Sequence, residues 1–314
     1  MLENKSSQGF QMSPQQRHIW QQQKDGARFH AQCAIFIEGR LVSARLKKVL
    51  QDCLARHEIL HTSFQSSQLL EFPLQIIHDQ YEIQIQEITL STQERHEQEQ
   101  ALQQMLLSQR TLPFDAEGPM LRAALITQSE SQHILLLTIA ALCVDTFSLQ
   151  ALAEELLRLY TSSEQERSQQ EAPLQYADFA AWQTDTLDLE LPLAAQEFWQ
   201  RQKRRSPHLT LPLQLANDAH TENIPEAFSS LLEPTLLEQV EAFAQGHTVS
   251  LECVFVAAWA TLLWRISHIS HLQIGLLAQG RGIPELQTLL GPVARCLPLH
   301  LQIEERMDIP QMLQ

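Results

Sequence analysis

The sequence lacks the short motifs that identify several large enzyme classes. It contains no Cys-x-x-Cys pair, no glycine-rich nucleotide-binding loop and no Gly-x-Ser-x-Gly nucleophile elbow. These absences argue against a zinc ribbon, a common nucleotide-binding site and an α/β-hydrolase. Gly280-Arg281-Gly282 is too short to form a phosphate loop. The polar N-terminus has no signal-peptide core and no apolar run is long enough to span a bilayer, so we expect no membrane association.

Positive charge is also scarce. The chain has 22 Lys and Arg residues against 37 Asp and Glu residues, and its formal net charge is −15. Binding to nucleic acid is therefore not expected, because phosphate neutralisation needs clustered basic side chains. The one tight basic group, at 201–205, is short and is interpreted as a solvated helix end. The five cysteines are widely separated, which fits a reducing compartment, and we expect a cytoplasmic protein.

Length and composition predict a folded α/β protein with more than one core. A chain of 314 residues with 44% hydrophobic and 19% charged residues is long for a single domain. Segments with strand periodicity and helix periodicity alternate along it, which favours the α/β class. Polar stretches separate the predicted regions: an N-terminal lobe at 1–172, helices and a linker at 173–225, and a C-terminal lobe at 226–314.

The stretch 134–149 indicates where a functional site is to be expected. Ile134–Ala141 carries no charge, which predicts a strand that is covered on both faces. Asp145 follows where the apolar run stops, and the residues after it have the spacing of an amphipathic helix. Asp145, Thr146 and Ser148 are thus candidates for a site at a helix start, where side chains in α/β enzymes often carry chemistry. N-capping of the helix is the alternative interpretation.

Other features of the chain are interpreted as core. Cys143 lies between two apolar residues and has no activating histidine beside it in sequence, so we predict a small buried residue and not a nucleophile. The apolar helix predicted at 251–266 has residues at helical spacing that are also interpreted as core. These residues are Phe255, Trp259, Leu262, Leu263 and Ile266.

The segment His57-Glu58-Ile59-Leu60-His61 matches the His-Glu-x-x-His zinc motif letter by letter. In that motif the two histidines must lie one helical turn apart on one helix face. The apolar stripe of the helix predicted from Val42 ends at about His57, and the residues after it are β-like. The two imidazoles are therefore not expected to share a face. A zinc hydrolase stays a remote alternative, and we predict no metal.

Several segments, in order, resemble the condensation domains of nonribosomal peptide synthetases. Ser13–Trp20 is similar to the family's Ser-x-x-Gln-x-Arg-x-Trp, with His18 at the arginine. Arg56–Phe64 is similar to its Arg-His-Glu-x-Leu-Arg-Thr-x-Phe, with His61 in place of arginine. Tyr176–Trp182 resembles the Tyr-x-Asp-(aromatic)-x-x-Trp segment. Residues 274–299, which include Gly280-Arg281 and Leu297-Pro298-Leu299, resemble the late motifs.

The resemblance fails at the family's reaction centre. Where the family has His-His-x-x-x-Asp-Gly, with the second histidine at the reacting amine, this chain has Ala140-Ala141-Leu142-Cys143-Val144-Asp145-Thr146. Both histidines are alanine, while Asp145 is retained. Asp145 to Ser148 is also similar to the second half of the Asp-x-x-x-x-Asp-x-x-Ser motif of heterocyclization domains. In the late motif Arg295 replaces an asparagine.

The resemblance implies two chloramphenicol-acetyltransferase-like lobes in a V arrangement, the second of them apparently truncated. In the family, phosphopantetheine arms of two carrier proteins enter a tunnel between the lobes, and an amine attacks a thioester to form an amide. The implied partners are carrier proteins and neighbouring synthetase domains, and no cofactor is expected to bind the chain directly. The retained aspartate holds a loop through an ion pair in the family, and we predict that Asp145 pairs with Arg281.

Two functions follow from this resemblance. The first is an atypical condensation-type or cyclization enzyme that acts on carrier-bound aminoacyl or acyl thioesters, with Asp145 or Ser148 in place of the missing histidine. The second is a noncatalytic module that keeps the fold in order to dock carrier proteins or to recruit a tailoring enzyme. Further tunnel or structural positions implied by the motifs are Arg56, Cys143, Thr146, Trp182, Arg281 and Arg295.

Overall fold

The computed structural model describes residues 9–23, 29–79, 81–90, 94–114, 118, 120–163, 165–166, 171–187, 192–203, 229–304, 307 and 311. The chain divides into two compact units. The first unit comprises residues 1–190 and 279–295, and the second comprises residues 191–278 and 296–314. Residues 204–225 of the helices and linker predicted at 173–225 lie outside the described residues, and the predicted lobe boundaries stay predictions.

Most helices and strands of the first unit agree with the predicted ones. They are β1 (Gly9–Gln11), α1 (Pro14–Gln23), β2 (His30–Glu38), α2 (Ser43–Arg56), a 3₁₀ turn (Glu58–His61), β3 (Thr62–Gln65), β4 (Leu74–Ile77), β5 (Ile85–Thr89), α3 (Arg95–Thr111), β6 (Leu121–Ser129), β7 (Gln132–Ala140), α4 (Thr146–Thr161) and α5 (Tyr176–Leu187). The β-like pattern after His57 predicts a strand over 59–64, and this prediction is wrong in its first half, where the chain forms the 3₁₀ turn. The Leu60 amide donates to the His57 carbonyl at 3.0 Å, and this bond closes the 3₁₀ turn.

A four-stranded sheet with the order β2-β7-β6-β5 lies at the centre of the first unit. β7 is antiparallel to β2 and β6, and β5 is parallel to β6. Leu137 and Ile139 of β7 pack in one core with residues of α2 and α4, while Ile134 and Leu136 pack in another with residues of α3. Helices thus cover both faces of the sheet. This cover explains the uncharged sequence of β7 and confirms the α/β class.

The first unit also has a three-stranded sheet with the order β1-β4-β3. Ser13 comes directly before α1, and the sequence Ser13-Pro14 predicts a helix N-cap, which the structure confirms. Its Oγ accepts the Gln16 amide at 3.1 Å, and the Gln16 side-chain oxygen accepts the Ser13 amide at 2.9 Å. This reciprocal pair is a capping box, and Pro14 occupies the first helical position.

The second unit contains α6 (Leu193–Lys203), α7 (Pro234–Gly246), α8 (Leu251–Ser267), β8 (His271–Ala278) and most of β9 (Arg295–Gln302), while the short α9 (Pro284–Gln287) belongs to the first unit. β8 and β9 pair with each other. The sequence pattern at 228–232 predicts a strand, and this prediction is wrong, because residues 229–233 have no regular structure. No described strand pairs with them, and a single extended segment is not stable without such a partner.

The prediction that the apolar side chains of α8 form core is also largely wrong. Leu263 is buried, together with Ala260. Phe255, Trp259, Leu262 and Ile266 are between 37% and 53% exposed. A helix that is apolar on all sides gives no sequence signal for the face that is buried.

None of the described helices is long and apolar enough to cross a membrane by itself. α7 and α8 meet the length and composition criteria only as a pair, and that pair is bent by 104°.

Candidate functional site

The site predicted at the end of β7 is a strand, a tight turn and a helix, as the sequence indicates. Ala140 ends the strand and is buried, and the Cys143 amide donates to the Ala140 carbonyl at 2.8 Å to close the turn. The Leu142 carbonyl accepts a hydrogen bond from the Gln16 side chain at 2.9 Å. Ala141 lies in the turn, and its amide donates to the Phe29 carbonyl at 3.0 Å. The backbone of the turn that follows Ala140 is therefore fixed by hydrogen bonds to Phe29 and to the Gln16 side chain.

Asp145 is the N-cap of α4. Its Oδ1 accepts the Ser148 amide at 2.7 Å and lies 2.8 Å from the Ser148 hydroxyl. Its Oδ2 accepts the amides of Val293 and Ala294 at 3.0 and 2.9 Å. The N-capping interpretation is thus confirmed, and the carboxylate also binds backbone from a segment distant in sequence.

The predicted pairing of Asp145 with Arg281 is confirmed. Arg281 Nη1 lies 2.9 Å from Asp145 Oδ2, and Nη2 lies 3.0 Å from Oδ1. This is a bidentate ion pair, the strongest geometry that these two side chains form. The Arg281 side chain is 4% exposed and that of Asp145 is 12% exposed. Arg281 Nη2 also reaches the carbonyl oxygens of Leu289 and Gly291.

Ser148 belongs to the same network. Its Oγ accepts hydrogen bonds from the Gly291 amide at 3.0 Å and from Arg281 Nη2 at 2.9 Å. The hydroxyl also lies 2.8 Å from both Asp145 Oδ1 and the Gly291 carbonyl. Because a hydroxyl has one proton and two lone pairs, these contacts occupy its whole hydrogen-bonding capacity.

The electrostatics of the network keep Asp145 ionised. Burial on its own raises the pKa of this carboxyl, but the hydrogen bond from Arg281 and those from the amides of Ala294 and Ser148 outweigh it. The net pKa of Asp145 lies below its ordinary value. A carboxylate with a lowered pKa and occupied lone pairs is a poor proton acceptor at neutral pH. The geometry favours Asp145 and Ser148 as anchors of the segment 279–295, and their predicted catalytic role stays a prediction.

The backbone of that segment passes very close to α5 at Gly291. Gly291 has φ 142°, and a Cβ at this position would lie 1.9 Å from the Tyr176 ring. The Tyr176 hydroxyl donates to the Pro292 carbonyl at 3.0 Å and lies 2.7 Å from Ser13 Oγ. Glycine is required here both by the conformation and by the close approach.

The other predicted site residues fall into two groups. Arg56 and Cys143 are tied to the fold: Arg56 Nε donates to Glu155 Oε1 at 2.9 Å, and Cys143 is fully buried, which raises the pKa of its thiol. Thr146, Trp182 and Arg295 are exposed. The burial of Cys143 confirms the prediction of a core residue.

The structure contradicts a zinc site built from the motif at 57–61. His57 Nε2 lies 2.6 Å from Glu155 Oε2, while His61 Nδ1 donates to the His78 carbonyl at 2.7 Å. The end of α2 at Arg56 and the 3₁₀ turn after it remove the continuous helix that the motif requires. The two imidazoles therefore bind different partners.

Sequence reasoning missed His30, which is paired with Ala140 in the register of β2 and β7. Paired residues on neighbouring antiparallel strands project from the same face of the sheet. His30 Nδ1 lies 2.6 Å from the Arg110 carbonyl, and its ring packs edge-to-face on Phe114. A carbonyl only accepts hydrogen bonds, so Nδ1 carries a proton and donates it to this contact. Only the strand register could have revealed this neighbour.

Comparison with known proteins identifies the family. The family model described as Condensation domain matches residues 7–314. Tyrocidine synthase 2 of Brevibacillus parabrevis is 29% identical over 285 residues, a match that covers 89% of this chain and 8% of that protein. The chain thus spans a small part of this relative's length.

Solved structures agree with the fold. The first condensation domain of the CDA synthetase matches with a TM-score of 0.82 at 19% identity, over 98% of this chain and 73% of that one. The X-domain in its complex with OxyB from teicoplanin biosynthesis matches with a TM-score of 0.75 at 22% identity, over 100% of this chain and 69% of that one. The predicted chloramphenicol-acetyltransferase-like fold of condensation domains is confirmed by these matches.

Proposed function

The chain belongs to the condensation domain family of nonribosomal peptide synthetases, and from this premise we propose that it is a noncatalytic condensation-type module that binds carrier proteins and their thioester-linked cargo. The observation that carries the proposal is that no side chain in the strand end, turn and helix start at 140–148 is available for acid–base catalysis. Ala140 and Ala141 occupy the positions of the family's histidines, and both Asp145 and Ser148 are engaged in the fold.

The energetic cost of this loss is large enough to matter. Positioned acid–base catalysis contributes about 10² to 10⁴ in rate. Ala141 has a methyl side chain, which neither accepts a proton nor donates one. For Asp145 to act as a base it would have to leave the Arg281 ion pair and two backbone amides. We therefore assign the domain a role in binding, because no side chain at 140–148 is available for proton transfer.

The partners of the module are carrier proteins and neighbouring synthetase domains. The phosphopantetheine arms belong to those carrier proteins and not to this chain. The structure of an X-domain in complex with OxyB supports the idea that a domain with this fold can serve to bind another protein. The cytoplasmic location is part of the same proposal and is supported by five cysteines that are all free.

Binding and turnover are tested in one mixture. The purified chain is incubated with two carrier proteins, each loaded with an aminoacyl thioester through phosphopantetheine. Binding is followed by calorimetry and the product by intact-protein mass spectrometry. We expect binding without amide product. Failure of both carrier proteins to bind, with the chain shown to be folded, would overturn the proposal.

A second function, an atypical condensation enzyme, is favoured by one observation. His30 is paired with Ala140, and the two side chains project from the same face of the sheet. An imidazole is thus present beside one of the two positions at which the family has histidine. In this case His30 replaces the missing base.

The two functions are separated by substituting that imidazole. If the chain forms product, His30→Ala lowers the rate by about 10² to 10⁴, because the base is lost. His133→Ala is the matched control, since His133 occupies the far end of the same strand pair, opposite Ile37. Equal rates in the two variants would exclude His30 as the base.

A further inference from the structure

Three potential metal ligands converge inside the first unit, away from the site at the end of β7. Cys53 lies in the last turn of α2, His57 directly follows that helix, and Glu155 lies on α4. Their ligand atoms all lie within 4.8 Å of one another. Cys53 is fully buried, His57 is 2% exposed, and the Glu155 side chain is 11% exposed. We propose that Cys53, His57 and Glu155 form a zinc site that ties α2 to α4.

The local backbone explains why these side chains meet. Cys53 and His57 are four residues apart, which places them on one face of a helical turn. The His57 amide donates to the Leu54 carbonyl at 3.2 Å, so His57 is held against the last turn of α2 as its C-cap. Glu155 faces this pair from α4, and His57 Nε2 lies 2.6 Å from Glu155 Oε2. The site therefore uses one histidine of the zinc-like motif with two partners that the motif does not contain.

The donor set is the one that zinc prefers. A thiolate, an imidazole and a carboxylate are all usual zinc ligands, whereas magnesium and calcium prefer oxygen alone. The thiolate and the carboxylate together carry two negative charges, which balance the charge of Zn²⁺. Three protein ligands leave a fourth position for a water molecule, and the partial exposure of Glu155 gives solvent a route to it.

Without metal, Cys53 is a buried thiol, and burial raises its pKa. Zinc binds the thiolate form, so binding releases the thiol proton to solvent.

The two oxygens of Glu155 have different roles in this arrangement. Oε1 is held by Arg56 Nε at 2.9 Å, and Arg158 Nη2 lies 3.9 Å from it. Oε2 faces His57 and is the oxygen placed to bind the ion. A second hydrogen-bonding partner on a metal-binding carboxylate is usual and orients the ligand. Ligands of one zinc ion lie about 3.3 Å apart, so the 2.6 Å contact between His57 and Glu155 opens slightly on binding.

The test uses the full chain, reduced and stripped of metal with a chelator. The exposed thiols are first removed by Cys253→Ser and Cys296→Ser, so that surface sites do not contribute. Zinc is titrated by calorimetry, and cobalt(II) is used as a spectroscopic probe, because a thiolate ligand gives it a charge-transfer band in the near ultraviolet. We expect one zinc ion per chain, such a band, and a higher melting temperature with zinc than without it.

Two variants assign the ligands. Cys53→Ala and His57→Gln should each weaken zinc binding by about tenfold or more, and Cys53→Ala should abolish the cobalt band. Cys143→Ala is the matched control, because Cys143 is equally buried and should leave both readouts unchanged. If Cys53→Ala does not fold, X-ray absorption of the zinc-loaded parent must show one sulfur ligand. Absence of stoichiometric zinc, or a parent site without sulfur, would mean that the cluster is an ion pair only.

Discussion

At the scale of single residues, the Asp145 carboxylate joins two segments that are far apart in the sequence. It caps α4 through Ser148 and binds Arg281 together with the amides of Val293 and Ala294. Each oxygen accepts several short hydrogen bonds, and the guanidinium neutralises the charge. The energy of such a buried pair becomes visible when one partner is removed, because the other is left charged and unpaired.

Asp145→Ala should therefore lower the free energy of unfolding by about 3–5 kcal/mol. The matched control is Glu87→Ala, which breaks the ion pair between Glu87 and Lys47. Both side chains of this pair are about half exposed, so the substitution should lower the free energy of unfolding by about 0–1 kcal/mol. Denaturant unfolding at neutral pH measures both values. Equal effects of the two substitutions would contradict the anchoring role of Asp145.

The same carboxylate predicts a pH dependence. Its pKa in the folded chain lies below the ordinary value of 3.8, so its stabilising contribution is complete above the unfolded-state pKa and is lost as pH falls through the folded-state pKa. The difference in unfolding free energy between wild type and Asp145→Asn should be constant above about pH 5 and shrink below about pH 4. A difference that grows on acidification would show that the pKa of Asp145 is raised instead.

Only part of this residue-level picture could be predicted from the sequence. The pairing of Asp145 with Arg281 followed from the resemblance to condensation domains. The contacts of Val293 and Ala294 could not be predicted, because backbone amides carry no side-chain signal. The pairing of His30 with Ala140 depends on the register of two strands about a hundred residues apart.

At the scale of elements, the segment 279–295 belongs to the first unit although it lies in sequence between β8 and β9. Leu286, Leu289, Leu290 and Val293 are part of the first unit's core. The polar network around Arg281 holds one end of the segment, and the close approach of Gly291 to Tyr176 holds the other. This segment is therefore fastened by both apolar packing and hydrogen bonds.

Two glycines of this segment provide a matched test. Gly291→Ala should destabilise the chain by about 2 kcal/mol or more, because a Cβ there meets the Tyr176 ring and the positive φ adds strain. Gly282→Ala should change stability by about 0.5 kcal/mol or less, since nothing lies within 4 Å of its added Cβ. Thermal unfolding of the two variants checks the difference. Similar losses would indicate that the approach to Tyr176 carries little of the segment's stability.

Helix and strand positions were predicted well where the apolar pattern has a clear period. The helices α2 and α4 have one buried stripe, and β7 is apolar throughout because both of its faces are covered. The apolar pattern does not indicate which face of α8 is buried, because this helix is apolar on every side. The prediction that its exposed side chains form core is therefore wrong. The same limit applies to 228–232, where the predicted strand has no partner and the described residues form none.

At the scale of the whole molecule, the fold of a condensation domain is retained, and the proposed function implies a change in the chemistry of its reaction centre. The family model spans residues 7–314, and the Asp145–Arg281 network stabilises the helix start at which that centre is expected. A scaffold that keeps its cross-links without its acid–base groups fits a function in binding. The sequence alone provides the two alanines on which this proposal depends, because the resemblance to the family aligns them with its histidines.

The most direct test of this account is a single-turnover reaction between two loaded carrier proteins, with both partners bound to the wild-type chain at saturation. Intact-protein mass spectrometry follows the transfer of the donor group to the acceptor amine. The account predicts that amide forms at a rate close to that of the carrier proteins alone. The acceleration of about 10² to 10⁴ that positioned acid–base catalysis supplies should be missing. Amide formation accelerated to that extent by the wild-type chain would contradict it.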